Sequence, residues 1–158
     1  MSARTLGPDP GRSPAAVPGV VLDTNAVLDL WVFKDPRVQG LAQALQAGLL
    51  GWLGCPGMRG ELAHVLERGI ARSRGLEPEA VLRAWDQSVI QPLCPDPPAI
   101  SRLHCTDPDD QRFIELALCH QAKWLFTSDR ALLKLARRAA PQGLVIRPPQ
   151  GWEAELSP

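Results

Sequence analysis

Tyrosine is absent from this chain, and three phenylalanines and five tryptophans are its only aromatics. So thin a supply leaves little for a broad platform on which bases stack. An excess of charge is also missing: 17 Lys and Arg balance 17 Asp and Glu. No overall field favours a polyanion, so any nucleic-acid contact has to come from a local patch. No apolar run approaches the ~18 residues of a membrane span, and no long apolar segment follows a basic start at the N-terminus. Neither a membrane nor a secreted protein is expected, and the reading is cytoplasmic. Cys55, Cys94, Cys105 and Cys119 form no CxxC pair, and His64, His104 and His120 show no ligand spacing. These absences argue against zinc and for reduced, mostly buried thiols.

What is present suits one globular domain: 158 residues, 45% of them hydrophobic, enough for a proper core. Residues 1–18 hold Pro8, Pro10, Pro14 and Pro18 with Gly7 and Gly11, which reads as a flexible leader. From Gly19 strands and helices alternate. Strands are predicted at Gly19–Leu22, Leu49–Leu53, Lys123–Phe126 and Gly143–Ile146, with a possible short one at Ser88–Leu93 and a loop at Pro95–Pro98. Helical spacing is carried by Val38, Leu41, Ala42 and Leu45, by Leu62, Val65 and Leu66, and by Val81, Leu82 and Trp85. It recurs at Phe113, Leu116, Ala117 and His120, and a last helix is predicted over 130–139. Gly48 reads as a helix stop. The expected fold class is α/β, a three-layer α/β/α domain over 19–147 with a central parallel sheet of four or five strands. Residues 148–158 read as an irregular tail whose Trp152 packs back.

Acidic residues punctuate this pattern. Asp23 directly follows the apolar run Val20-Val21-Leu22. Asp129 lies just past a later strand, and Asp110 lies at the start of the helix before it. Glu61 is placed at the opening of the helix after the second strand. In open α/β sheets, ligands bind beyond the carboxyl ends of the strands, so four carboxylates from four segments converge on one rim. Like charges gathered together are costly unless a cation neutralises them. Oxygen ligands suit a hard divalent cation, Mg2+ or Mn2+. Each acid also has a plainer reading: Asp107 and Asp129 as helix caps, Asp110 as part of a capping arrangement, Glu61 as a first-turn glutamate favoured by the helix dipole.

Three stretches resemble a known family: Leu22-Asp23-Thr24-Asn25, Asp107-Pro108-Asp109-Asp110 with Phe113 and an apolar helix, and Trp124-Leu125-Phe126-Thr127-Ser128-Asp129. The sequence resembles PIN domains over roughly residues 20–147, and is similar to the branch of toxin components of toxin–antitoxin pairs, VapC-like ribonucleases. The resemblance implies that Asp23, Glu61, Asp110 and Asp129 are the catalytic, metal-binding carboxylates. It implies that Asn25 and Ser128 orient the neighbouring acids, with Asp107 either an extra ligand or only a cap. Glu67 is the alternative to Glu61 but lies further from the strand edge. The family often carries another Asp after the fourth acid, where this chain has Ala131, which puts only a fifth ligand in doubt.

The resemblance also implies single-stranded RNA as substrate, a cognate antitoxin and a homodimer. The residues alone support only a phosphodiester or another metal-chelating phosphate. Positive charge for it is offered by Arg59, Arg68, Arg72 and Arg74 around the third helix, and by Arg130, Lys134, Arg137 and Arg138 along the last one. Within these, Arg68, Arg72, Arg130 and Lys134 are the candidate substrate contacts, unless both groups are simply solvated helix faces. Trp31 and Phe33 are candidates for a subunit or antitoxin surface, and Trp31 and Trp85 read as core or interface rather than base-stacking residues. Other functions fit less well. A phosphatase with an Asp nucleophile wants a second Asp where Asn25 stands. A phospho-accepting receiver wants an acidic pair after the first strand. A non-catalytic PIN-like binding module remains the main alternative.

Overall fold

The computed structural model describes residues 17–92 and 103–153. Much of leader 1–18, the Pro95–Pro98 loop, Cys94 and the end of the tail lie outside the described residues. Strand β1, Gly19–Leu22, is wholly apolar after its glycine, and Val20 and Val21 are completely buried. That is the signature of a strand covered on both faces. Strands β2 (Gly51–Trp52), β3 (Trp124–Phe126) and β4 (Val145–Arg147) join it in one parallel sheet, ordered β2-β1-β3-β4. Val20 registers with Trp52 on one side and Trp124 on the other.

Helices connect the strands and flank the sheet on both faces, giving a three-layer α/β/α architecture. Helices α1 (Thr24–Trp31) and α2 (Gln39–Gln46) link β1 to β2. Gly48, at φ +73°, ends the second of them as its sequence suggests. Helices α3 (Pro56–Leu66) and α4 (Pro78–Ser88) follow β2. A 3-10 turn, Pro108–Asp110, leads into α5 (Gln111–Cys119), which packs on β1 and β3. Phe113, Ile114 and Ala117 bury its inner face.

Several boundaries differ from the sequence reading. The second strand is only Gly51–Trp52: Leu49 is about half exposed, and Leu53 makes just one bridge, to Ile90. Pairing is available only alongside β1, which begins at Gly19, so the apolar residue before Leu50 has no partner strand. The same bridge is all the structure shows of a strand within 88–92. The predicted helix 130–139 divides into α6 (Arg130–Leu133) and α7 (Ala136–Ala139). Between them Leu135 N–H bonds Leu132 O at 3.0 Å, a three-residue step that tightens the turn and leaves both leucines buried. β4 starts two residues late because Gly143, at φ +84°, still belongs to the preceding turn.

The described part of the tail is packed. Trp152 is 5% exposed and stands edge-on to Trp124 and Phe126, with ring centroids 5.4 and 5.9 Å away. Trp85 is core, Trp31 is tilted against Trp52 at 5.0 Å, and the Arg74 guanidinium lies 4.5 Å over the half-buried Phe33 ring. Cys55, Cys105 and Cys119 are free thiols, half-buried rather than buried. No described helix is long and apolar enough to cross a membrane.

Candidate active site

The strand order places a switch point between β1 and β3: the chain leaves β1 toward β2 on one side and returns to β3 on the other. Crevices open at the carboxyl ends of strands at such points. Asp23 sits there, one residue past β1, with its own N–H bonded to Phe126 O at the end of β3. It is 3% exposed. Its Oδ1 accepts from Ala26 N at 2.8 Å, capping α1, and its Oδ2 accepts the Thr127 hydroxyl. Burial pushes its carboxyl up from 3.8 to about 6; the Thr127 and Ala26 bonds oppose this, and the charges of Asp129 and Glu61 add to it.

Thr127 joins two acids. While its hydroxyl donates to Asp23, its Oγ1 accepts from Asp129 N at 2.9 Å. Asp129, half-buried, caps α6 through Oδ1 to Ala131 N at 2.7 Å. Glu61 lies in the second turn of α3, not the first, because Pro56 already holds the first helical position. The dipole explanation for this glutamate therefore lapses. Instead its Oε2 accepts the Thr24 hydroxyl at 2.9 Å, tying α3 to the start of α1. The alternative Glu67 is exposed at the far end of α3.

Asp110 differs from the others. Asp107 caps the 3-10 turn by accepting Asp109 N at 3.0 Å, so Asp110 has no capping bond to make. One of its oxygens, Oδ2, is buried without any partner. Its carboxyl rises from 3.8 to about 7, first through burial and then through Asp129, Asp107, Glu61 and Asp23. The four acids thus share one electrostatic neighbourhood, and Cys105 joins it. Its thiol is pushed up by burial, against an Asp107 N–H bond, with Asp110, Asp129 and Asp107 adding.

The sequence-predicted supports are placed differently. Asn25 and Ser128 are exposed, and neither bonds an acid among the described residues; the threonines immediately before them do, Thr24 bonding Glu61 and Thr127 bonding Asp23. Exposed Arg130 follows Asp129 directly, and Lys134 is one turn further on. Arg68, whose Nη2 lies 3.4 Å from His64 Nε2, and Arg72 lie past the C-terminal end of α3, the end away from Cys55 and β2.

Whether these residues suit a cation is decided by their donors. All four are carboxylates, one buried oxygen lacks a partner, and no described Lys or Arg forms an ion pair with them. That set fits a hard divalent ion. Among the described residues no three His, Cys, Asp or Glu side chains stand close enough to one point to hold an ion, so binding would have to draw the acids together.

A parallel sheet with carboxylates around its switch point defines an acid-lined α/β site with no described basic side chain paired to its acids. Residues 19–131, well over half of the chain, match the family described as PIN domain, and the chain belongs to that family. PIN domains are generally nucleases, and they typically use divalent metal ions. No curated protein matches the chain, and no solved structure does.

Proposed function

We propose that this protein is a Mg2+- or Mn2+-dependent endoribonuclease that cleaves RNA phosphodiester bonds as the toxin of a toxin–antitoxin pair in the cytoplasm. The observation that carries the nuclease reading is Asp110 Oδ2, a buried carboxylate oxygen with no partner, set among Asp23, Glu61 and Asp129. A buried unpaired oxygen is costly in a folded protein and calls for a purpose. RNA, the antitoxin and a homodimer rest on the likeness of Asp107-Pro108-Asp109-Asp110 and Thr127-Ser128-Asp129 to the toxin branch.

The chain's own residues divide the work. Asp110, Asp129 and Asp23 would hold the ion, with Glu61 completing the set or steering a water. Thr127 and Thr24 keep Asp23 and Glu61 in place. Arg130, beside Asp129, offers a phosphate contact at the rim. A bound divalent ion activates water and stabilises charge at phosphorus and on the leaving oxygen.

A second reading, a PIN module that binds without cleaving, is favoured by two observations: both oxygens of Asp23 are already bonded, and among the described residues the acids stand apart. Cleavage of a fluorophore–quencher RNA in EDTA, Mg2+ and Mn2+ separates the two. Metal-dependent signal is expected, abolished to background in Asp110→Asn and Asp23→Asn. Folded protein, free of any antitoxin and silent on several RNAs, would leave the binding module.

A further inference from the structure

The rim is also held by bonds that no acid makes. The Arg112 guanidinium donates from Nε to Asp109 O at 3.0 Å and from Nη1 to Gly57 O at 2.9 Å. One acceptor belongs to the turn that carries Asp110, the other to the start of α3, which carries Glu61. Arg112 forms no ion pair among the described residues, and both of these bonds go to backbone carbonyls. A planar fork can span two acceptors in this way, and a lysine ammonium cannot match its geometry.

Gly57 fits the same picture. Glycine is a poor helix residue, yet it occupies the second position of α3. A Cβ there would lie 2.9 Å from Arg112 Nη1. Glycine is what lets the guanidinium lie against the helix backbone.

We propose that Arg112 is a positioning residue. By bridging Asp109 O and Gly57 O it sets the separation of Asp110 from Glu61, and through it the affinity of the site for a divalent cation. This rests on the metal-dependent reading above.

The test is a Mn2+ titration of the full chain followed by thermal unfolding, with neither RNA nor turnover involved. Arg112→Ala is expected to need at least about tenfold more Mn2+ for half of the full Tm shift, as is usual when a residue supporting metal ligands is lost. Gly57→Ala is expected to show the same weakening while its metal-free Tm holds or rises, since alanine favours the helix. Arg112→Lys, able to replace one bond, should fall between. Wild-type Mn2+ affinity in both Arg112→Ala and Gly57→Ala overturns the clamp alone. Weakening confined to Arg112→Ala, with a fallen metal-free Tm, assigns the arginine to stability and also overturns it. No Mn2+ shift in the wild type overturns the metal site, and the clamp with it.

Discussion

Thr127 carries the tightest polar commitment in the site. Its side chain is fully buried, and one oxygen serves Asp23 as donor and Asp129 N–H as acceptor. Replacing it with valine keeps the shape and removes both bonds. The loss should weaken divalent-ion binding by about 10- to 100-fold and destabilise the fold by roughly 1–3 kcal/mol. Thr127→Ser should restore most of both. Metal titration and urea unfolding of the two variants check this; wild-type affinity in the valine variant would remove Thr127 from the site. No pattern in the sequence singles this threonine out. A threonine at a strand end is an ordinary β-former, and its bond to Asp23 spans 104 positions. Asp23 was legible because it ends an apolar run, and Asp110 and Asp129 because they stand at the marked start of a helix and just past a strand. Their supports were not, because a hydroxyl's partner depends on which strands become neighbours.

Elements were legible where the apolar period was long and their ends were chemically marked. The strand at Gly19–Leu22 and the helices led by Pro78 and Pro108 show this, whereas α3 begins at Pro56, earlier than its sequence suggests, which puts Glu61 in a second turn. Ends fixed by a neighbour were not legible. β2 starts at Gly51, opposite the first residue of β1, and the 130–139 helix breaks where two buried leucines need a tighter step. The tail is the clearest case: Arg147 donates locally to Pro148 O and Gln150 O, but its place on the domain is set by distant partners, Gln150 Nε2 bonding Asp29 Oδ2 at 3.0 Å and Trp152 packing on Trp124 and Phe126. Trp152→Ala should therefore cost roughly 3–5 kcal/mol, the range for a buried large aromatic. A urea midpoint with an unchanged m-value would register it. A loss under about 0.5 kcal/mol, typical of surface positions, would mean that the tail merely rests on the sheet.

For the whole molecule, gathering carboxylates at the switch point sets stability against charge. Asp23 and Asp110 titrate at about 6 and about 7 in the folded chain, against 3.8 for a free carboxyl. Between about pH 4 and 7 the folded state binds more protons than the unfolded one, so stability falls as pH rises through that window. Asp29, also raised by burial, acts in the same direction. Asp35, held down to about 2 by its Arg37 bonds, and Asp86, lowered by Arg59, act below it. On the metal-dependent reading, a divalent ion would bind the deprotonated acids, and its stabilisation would grow where the metal-free protein weakens. An ion present at 100 times its Kd adds about 2.7 kcal/mol. In EDTA, Tm should drop between pH 5 and 7 and level off above it; in saturating Mn2+ the drop should be cancelled or reversed, with the two curves converging toward pH 5. A metal-free Tm that climbs over the same range would mean that these carboxyls are not strained by their neighbours, and that the fold has no charge for a cation to balance.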